Sequence, residues 1–421
     1  MYRQKSVSKH IGQNRKLISL NCCGKDSYAV PPGALISYQG SFFVQIFRGL
    51  SIFGRSISFN LTHWYSMQLY NTLSAKEREA LIEQAGKDRL TISFYKYAHI
   101  GNPQLLRNHL FIHWNELEVL GRIYVAYEGV NAQLSVPADN FKAFKEHLDS
   151  ITFLEGVRLN IAIEQDNKSF LKLKVKVRRK IVADGLDDNS FDVTDKGIHV
   201  DAEQFNALVE DPDAIVVDMR NHYESEIGHF KNAVTPDVDT FRDSLDLIEE
   251  QLRDHKEDKK LVMYCTGGIR CEKASAYYRH KGFKQVYQLE GGIIEYTRQV
   301  RDRDLDNKFM GKNFVFDQRR AERISEDVIS SCHQCGKPCD THTNCANEGC
   351  HLLFIQCEEC AEKMDHCCSE ACMEIVALPY EEQKKLRKGK TKSNLIFKKG
   401  RSEVLKYKKP ADSNLVLEEP K

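Results

Sequence analysis

The sequence has no long hydrophobic run. It contains no window of roughly 18 consecutive apolar residues, the shortest stretch expected of a transmembrane helix. Its amino terminus also lacks an apolar segment followed by a cleavage site, which a secretory signal peptide would have. The sequence therefore does not suggest a membrane protein or an exported protein.

Cysteines are scarce outside one short segment. Of the 14 cysteines, ten lie between Cys332 and Cys372 and only four lie elsewhere. This distribution differs from that of a secreted disulfide scaffold. It favours a reducing cytoplasm, where cysteines serve as a nucleophile or as metal ligands.

Acidic side chains are almost absent from residues 1–66, which contain eight Lys or Arg residues and one acid, Asp26. Three interpretations remain open: a transit-like leader, a basic arm, or upstream sequence preceding a functional start at Met67. Helical patterning in "SAKEREALIEQAG" follows Met67 closely and favours the third interpretation. The fold prediction therefore excludes residues 1–66.

The chain of 421 residues is long enough for about two to four domains. Its apolar content of 41% and charged content of 29% are ordinary for a globular protein. Changes in pattern along the chain divide it into five parts. These are a basic leader (1–66), an α+β domain (67–190), an α/β domain (191–304), a cysteine-rich module (305–378) and a basic tail (379–421).

Residues 67–190 show the order β-α-β-β-α-β with one additional strand. This order predicts a ferredoxin-like α+β sandwich. The predicted strands are 91–100, two within 122–137 around a turn near 128–131, 156–166 and 170–185; the predicted helices are 103–121, closing on Gly121, and 138–151.

Lysine and apolar residues alternate in "LKLKVKV", so Lys172, Lys174 and Lys176 share one face of a strand. Residues 178–180 extend the basic side. The stripe is either the solvated face of an edge strand, where lysine deters aggregation, or a surface that tracks nucleic-acid phosphates.

From about residue 191, strands and helices alternate. Repeated β-α units predict a parallel sheet with ligand sites at the carboxyl ends of its strands. Cys265 lies at one such end. The predicted strands are 214–220, 260–265 and 286–292, and the predicted helices are 201–211, 239–256, 271–283 and 293–302.

The segment "CTGGIR" after the second of these strands is typical of a reactive cysteine. Gly267 and Gly268 permit positive φ, so the loop can direct amide N–H groups at the Cys265 sulfur. The following helix amino terminus and the charge of Arg270 also favour a thiolate, so we expect a lowered pKa at Cys265. The alternative is a small buried residue that closes the strand, which the glycines and the arginine disfavour.

Residues 195–303 resemble a rhodanese domain through "DMRNHYESEIGHFKNA", "YCTGGIRC" and "LEGGI". The resemblance implies a persulfide carried on Cys265. The loop spans six residues from Cys265 to Arg270, one fewer than in the related dual-specificity phosphatases, so phosphatase activity is not expected. Asp218 and Arg220 are expected to form an ion pair near the loop. Cys271 is either a resolving thiol or a packing residue.

Residues 332–372 hold ten cysteines and four histidines and cannot form a sizeable apolar core. Two zinc ions with four ligands each would use eight of the ten thiols, in structural sites that provide the folding energy of the module. An iron–sulfur centre and a disulfide knot are the alternatives. The candidate ligands, of which a subset would bind, are Cys332, Cys335, Cys339, Cys345, Cys350, Cys357, Cys360, Cys367, Cys368 and Cys372.

The carboxyl-terminal segment 384–409 contains twelve Lys or Arg residues and one acid, Glu403. This composition predicts a disordered basic tail. Next to a metal module, such a tail suggests RNA binding, although a solubilising tail is also possible.

The order of these parts, with the segments "TISFYKY", "YEGVNAQLSVP", "MYCTGGIRCEKASAYY", "GKNFVFDQR" and "CHQCGKPCDTHTNC", resembles the tRNA uridine hydroxylase family over about residues 90–375. The resemblance implies oxygen-dependent conversion of the wobble uridine of tRNA to 5-hydroxyuridine, with Cys265 as the active-site cysteine. It makes tRNA the expected partner and dioxygen the expected co-substrate. The site residues expected are Cys265, Gly267, Gly268, Arg270 and Cys271.

No G-x-G-x-x-G fingerprint and no 2-His-1-carboxylate triad is recognisable in the sequence, so it carries no flavin or NAD signature. Addition of Cys265 to C6 of uracil, which would make C5 electron-rich, is one hypothesis for the role of the cysteine. A persulfide sulfurtransferase acting on tRNA or a carrier protein is the alternative activity. An RNA-binding scaffold without activity is a third reading, which the intact Cys265 and Arg270 disfavour.

Overall fold

The computed structural model describes residues 75–188, 190–388 and 401–407, together with the backbone of four short strands nearer the amino terminus. The chain divides into two compact units, Met1–Met67 and Gln68–Lys421. The first unit contains two antiparallel pairs, formed by β1 (Tyr38–Gln39) with β2 (Ser41–Phe42) and by β3 (Ser51–Ile52) with β4 (Arg55–Ser56). Apart from these four strands, residues 1–66 lie outside the described residues, so the three interpretations of this segment stay predictions.

The second unit begins with an α+β sandwich. Its strands are β5 (Arg89–Tyr97), β6 (Leu120–Ala126), β7 (Gly129–Pro137), β8 (Asn160–Ile161) and β9 (Leu173–Val177). They form one sheet in the order β8-β5-β7-β6-β9. Only the β6–β9 pair in this sheet is parallel. The sheet therefore has five strands, one more than the four of a β-α-β-β-α-β unit, as the sequence predicts.

Helices cover one face of this sheet. After α1 (Ala75–Ala85), which precedes β5, these are α2 (Pro103–Glu116) and α3 (Phe141–Asp149), with single 3-10 turns at Ala138–Asn140 and Thr152–Leu154. Phe94 of β5 packs against Trp114 of α2, which packs in turn against Phe144 of α3. Side chains alternate along a strand, so Ser93 and Tyr95 point to the opposite face, which α2 and α3 leave open.

Three elements in this region are shorter than predicted. The helix predicted for 103–121 ends at Glu116. Gly121 lies in β6, where a Cβ would sit 2.4 Å from the Gln133 carbonyl oxygen, so the position requires glycine. The strands predicted for 156–166 and 170–185 are observed only over the shorter ranges of β8 and β9. Beyond β8, the backbone N–H groups of Ile163 and Glu164 donate to the Glu322 carboxylate (3.0 and 3.4 Å), which replaces a strand partner.

A parallel α/β arrangement follows. Its strands are β10 (Ile198–Val200), β11 (Ala214–Asp218), β12 (Gly228–Phe230), β13 (Lys260–Tyr264) and β14 (Gln285–Leu289). Its helices are α4 (Ala202–Val209), α5 (His222–Ser225), α6 (Phe241–Gln251), α7 (Ile269–His280) and α8 (Gly292–Arg303), with a 3-10 turn at Arg253–His255.

The order β10-β14-β13-β11 makes a parallel sheet with helices on both faces. Phe241 of α6 and Tyr278 of α7 belong to the apolar cluster on one face. Phe205 of α4 and Tyr296 of α8 belong to the cluster on the other. The loops at the carboxyl ends of the strands are therefore left free to form a site.

The carboxyl-terminal part contains short strands and helices around the cysteines. These are β15 (Phe309–Phe314), β16 (Ala321–Arg323), β17 (His342–Asn344), β18 (Leu353–Ile355), α9 (Glu358–Lys363), α10 (Glu370–Val376) and α11 (Tyr380–Arg387). β15 pairs with both β12 and β16, which joins this part to the α/β arrangement.

The basic tail is partly ordered. Residues 401–407 return to the cysteine-rich part, where Leu405 is buried and the Tyr407 N–H donates to the His333 carbonyl at 3.0 Å. The predicted disorder is therefore wrong for these residues and for residues 384–387 of α11, while residues 389–400 and 408–421 lie outside the described residues. None of the described helices combines the length and the apolar character that a membrane span requires.

The predicted fold class is confirmed: a ferredoxin-like α+β sandwich, a parallel α/β arrangement of the rhodanese type and a cysteine-rich carboxyl-terminal part. The domain boundaries themselves stay predictions.

Candidate functional site

Cys265 directly follows β13, in the middle of the parallel sheet. Its side chain has no solvent exposure, yet it forms part of the wall of a cavity of about 210 Å³. The cysteine is therefore shielded from bulk water and faces a space that a small ring can enter.

The backbone of the loop turns around the Cys265 sulfur. Gly268 adopts a φ of 93°, and its N–H donates to Cys265 Sγ at 3.2 Å. Gly267 does not take a positive φ, contrary to the expectation for both glycines, and its carbonyl instead accepts from the Asn160 side chain. Gly268 is thus the residue that gives the loop its turn.

The closing motif "LEGGI" holds this loop from the other side. The N–H groups of Ile293 and Ile294 donate to the carbonyls of Cys265 and Thr266, at 3.0 and 3.2 Å. A Cβ on Gly292 would lie 2.4 Å from the Cys265 carbonyl oxygen, so only glycine allows this approach. The amino terminus of α8 therefore positions the cysteine loop.

The surroundings of Cys265 favour its thiolate. Burial raises the pKa, but a hydrogen bond from the Cys271 thiol, the charge of Arg270 and backbone N–H groups of both residues outweigh it, so the pKa of Cys265 falls from 9.0 to about 5. Burial and the neighbouring Cys265 sulfur raise the pKa of Cys271 well above its usual range. Cys271 therefore stays protonated and donates to Cys265, a position that suits both of its predicted roles.

Arg270, whose charge helps to stabilise the Cys265 thiolate, is itself paired with a carboxylate. Its guanidinium forms a bidentate pair with Glu224, with Nη1–Oε1 at 2.7 Å and Nη2–Oε2 at 2.9 Å, and both side chains are buried. The predicted pair of Asp218 with Arg220 is also present, at 2.7 Å. Carboxylates thus compensate the charges of both arginines near the loop.

The cavity is formed by three distant parts of the chain. Its walls come from the open face of the first sheet, from the cysteine loop and from the segment after β15. The lining residues include Thr91, Ser93, Tyr95, Asn131, Gln133, Asn160, Phe170, Ile294, Phe316, Asp317, Arg319 and Glu322. Residues 131 and 133 belong to "YEGVNAQLSVP" and residues 316–319 to "GKNFVFDQR", two motifs to which the sequence analysis assigned no role.

Asn160 and Glu322 are polar groups of this cavity that the sequence analysis missed. Asn160 is 3% exposed, its Nδ2 donates to the Gly267 carbonyl at 3.4 Å, and its Oδ1 has no hydrogen-bond partner among the described residues. Burial raises the pKa of Glu322, and its Oε2 is likewise without a partner in the described part of the chain. A buried acceptor without a partner is costly, so a ligand N–H is a suitable partner for Asn160.

Eight of the ten carboxyl-terminal cysteines form two sets of four. Cys332, Cys335, Cys357 and Cys360 make one set, and Cys345, Cys350, Cys368 and Cys372 make the other; within each set the sulfurs lie within 4.8 Å of one another. Observed Sγ–Sγ distances are 3.6 Å for Cys335–Cys357 and 3.7 Å for Cys350–Cys368. Four sulfurs at about 2.3 Å from one ion would lie about 3.8 Å apart, so each set fits a tetrahedral metal ion. Cys339 and Cys367 belong to neither set.

Comparison with known families gives three matches along the chain. The UPF0176 acylphosphatase-like domain matches residues 89–181, the rhodanese-like domain matches 201–299, and the rhodanase C-terminal domain matches 310–373. The matches fall on the α+β sandwich, the parallel α/β arrangement and the cysteine-rich part.

Curated relatives match almost over their full length. A protein named tRNA uridine(34) hydroxylase from Cronobacter sakazakii is 54% identical over 337 residues, 80% of this chain and 96% of the relative. One of the same name from Photorhabdus laumondii is 55% identical over 334 residues, 79% of this chain and 95% of the relative. Among solved structures, a rhodanese-like domain from Anabaena sp. is 21% identical, and the match covers 27% of this chain and 78% of that domain with a TM-score of 0.22.

The electrostatics of the loop predict a pH dependence. With a pKa of about 5, Cys265 is a thiolate at pH 7, and its alkylation rate should fall tenfold per pH unit only below about pH 5. Iodoacetamide labelling of the full chain, followed by peptide mass spectrometry, gives this profile, with Cys271 as the internal control that stays unlabelled at neutral pH. A midpoint near pH 9 for Cys265 would contradict the geometry.

Proposed function

The chain belongs to the tRNA uridine(34) hydroxylase family, and from this membership we propose that it converts the wobble uridine of tRNA to 5-hydroxyuridine at Cys265. The observation that carries the proposal is a buried sulfur on the wall of a cavity with room for a small ring, in surroundings that lower its pKa. Dioxygen is the co-substrate implied by the family resemblance. The reducing conditions that keep Cys265 reactive suit the cytoplasm.

The polar and apolar groups of the cavity suit a uracil ring. Phe170, Ile294 and Phe316 offer apolar surface to the faces of a base. The unpartnered Oδ1 of Asn160 can accept the N3–H of uracil, a donor that cytosine lacks at that position. The base would have to leave its stack to reach this depth, as is usual for enzymes that modify nucleobases.

Cys265 can activate C5 of uracil by adding to the adjacent carbon. The thiolate forms a bond to C6, and the electron pair of the C5–C6 double bond moves through C4 onto O4 as an enolate. C5 then carries nucleophilic character, and the addition itself requires no oxidant. A C5–O bond would then form with dioxygen as the oxidant, two electrons coming from a thiol reductant and the second oxygen atom leaving as water. Loss of the C5 proton and expulsion of the thiolate from C6 would restore the C5–C6 double bond. In a persulfide form of the enzyme, which the rhodanese resemblance implies, the loop amides that now surround the thiolate would surround the outer sulfur.

A persulfide sulfurtransferase is the second candidate, acting on tRNA or a carrier protein. The feature that favours it is the six-residue loop, which directs the Gly268 N–H at the Cys265 sulfur and suits a bound persulfide. In that reaction the tRNA would gain sulfur rather than oxygen, so the modified nucleoside distinguishes the two activities.

The lysine stripe supports a path for the tRNA backbone. Arg122 of β6 lies opposite Gln133 of β7 and opposite Lys174 of β9, so these side chains share one face of the sheet. Gln133 lines the cavity. The pKa of Lys174 is lowered by burial and by the like charges of Lys172, Arg122 and Lys176, so several positive side chains lie close together on this face. We propose that phosphates of the anticodon loop lie along this stripe.

We also propose that each set of four cysteines binds one structural zinc ion. The all-thiolate donor sets leave no open coordination position, so the ions would stabilise the fold rather than take part in catalysis. Because the cysteine-rich part has only small apolar clusters, metal binding would provide much of its folding free energy.

Replacement of Cys265 tests the activity. In cells carrying only Cys265→Ser, nucleoside mass spectrometry of tRNA should find 5-hydroxyuridine at position 34 absent, while the purified variant still binds tRNA. Cys339→Ser, a change at a cysteine outside the loop and outside both cysteine sets, is the matched control and should retain modification. Full 5-hydroxyuridine in the Cys265→Ser strain excludes the mechanism, and loss of a sulfur-containing nucleoside instead supports the sulfurtransferase.

Neutralising one lysine of the stripe tests the tRNA path. Lys176→Gln should weaken tRNA binding and reduce the slope of log Kd against log salt by about 1, because one phosphate contact is lost. Lys142→Gln is the matched control, since Lys142 is exposed on α3, on the other side of the sheet. Equal affinities and slopes for the two variants would show that the stripe is only a solvated edge.

Metal analysis tests the two zinc sites. The purified chain should contain two zinc ions, and Cys335→Ser or Cys350→Ser should each release one and lower the thermal stability. Cys339→Ser and Cys367→Ser are the matched controls and should retain both ions, since neither cysteine belongs to a set. Iron with visible absorbance, or zinc loss in the control variants equal to that in the ligand variants, would contradict the assignment.

A further inference from the structure

Three histidines form a cluster away from the cysteine loop. His109 and His113 lie one turn apart on α2, and His147 lies in the last turn of α3. Their ring centroids are 4.5 to 5.0 Å apart, and their nitrogens lie within 4.8 Å of one another. Both helices pack on the face of the sheet opposite the cavity, so this cluster is separate from the site of the proposed reaction.

We propose that His109, His113 and His147 bind a divalent transition metal ion such as Zn²⁺ or Ni²⁺, with water in the remaining coordination positions. Imidazole nitrogen is a preferred ligand of these ions. The Nε2 atoms of His109 and His147 are 3.2 Å apart, close to the roughly 3.3 Å between two nitrogens bound to one ion at about 2.0–2.1 Å. His109 is exposed and the other two are half-buried, which leaves one side open for water.

A hydrogen bond from Trp114 determines which ring nitrogen of His147, the third ligand, carries the hydrogen. Its Nε1–H donates to His147 Nδ1 at 3.1 Å. Tryptophan can only donate, so His147 Nδ1 must accept, and in the neutral ring the hydrogen lies on Nε2, which donates to His109 Nε2. Binding of an ion through His147 Nε2 requires the other tautomer, with the hydrogen on Nδ1. The ion therefore takes the place of the hydrogen between the two histidines, and Trp114 loses its acceptor.

The site would connect two helices that otherwise contact each other through the packing of Trp114 on Phe144 and the hydrogen bonds of His147. An ion that binds the folded chain and not the unfolded one stabilises it by mass action, so the site would act as a clip between α2 and α3. Its all-nitrogen donor set, open to water, distinguishes it from the two buried thiolate sets.

Trp114 makes the proposal measurable. The chain has two tryptophans, Trp64 and Trp114, so in a Trp64→Phe background fluorescence reports on Trp114 alone. Ni²⁺, which quenches a nearby indole, is titrated into the full-length chain already loaded with zinc at its cysteines. We expect saturable quenching by one ion, competed by further Zn²⁺, and a thermal transition that rises with Ni²⁺.

Variants of the cluster complete the test. His109→Ala and His113→Ala, each at a histidine of α2 outside the apolar core, should weaken Ni²⁺ binding at least tenfold. His99→Ala, at an exposed histidine outside the cluster, should leave it unchanged. Absence of quenching, or quenching that is the same in all three variants, would overturn the proposal. Because this readout is independent of tRNA modification, its failure leaves the proposed function untouched.

Discussion

A buried thiolate needs hydrogen-bond donors and positive charge around it, and in this chain the loop after β13 provides them. The Gly268 N–H, the Cys271 thiol and the N–H groups at the start of α7 all converge on the Cys265 sulfur. The convergence depends on the positive φ of Gly268 and on the close approach of Gly292 behind the loop. A side chain at Gly292 would displace the loop backbone, the donors would lose their alignment, and the pKa of Cys265 would rise because fewer interactions would offset its burial.

The cavity next to that sulfur exists because three parts of the chain meet. The α2 and α3 helices pack on one face of the first sheet and leave the other face to meet the loop. Polar contacts join the first sheet to the cysteine loop and α7. Among them are Tyr95 Oη to Glu272 at 3.3 Å, Tyr97 Oη to the Ile269 carbonyl at 3.4 Å and Lys273 to Glu128 at 2.7 Å. The ferredoxin-like part is thus a wall of the candidate site, and the same sheet face continues into the lysine stripe. One surface therefore joins the region proposed for phosphates to the cavity proposed for the base.

The features that could be predicted from the sequence are local ones. The strand, the glycine turn and Cys265 lie within a few residues of one another, and the two C-x-x-C pairs that form the first set of thiols are recognisable by spacing. The second set could not be predicted, because it has no repeated spacing that distinguishes Cys367 from Cys368. Asn160 and Gly267 are 107 residues apart, and Glu224 and Arg270 are 46 apart, so these contacts depend on tertiary packing. Asn160 gave no signal because its segment was typical only of a strand.

The compensation of Arg270 by Glu224 bears directly on the choice between the two activities. Both arginines that line the cavity are paired with carboxylates, Arg270 with Glu224 and Arg319 with Asp317 and Glu322. An anionic sulfur donor such as thiosulfate would be repelled by the Cys265 thiolate. Neither of the two lining arginines has an uncompensated charge that could offset this repulsion. Uracil is neutral near pH 7 and meets no such barrier, and its N3–H matches the unpartnered Asn160 Oδ1. The charge balance of the cavity therefore favours a neutral base over a small anion as the group that meets Cys265.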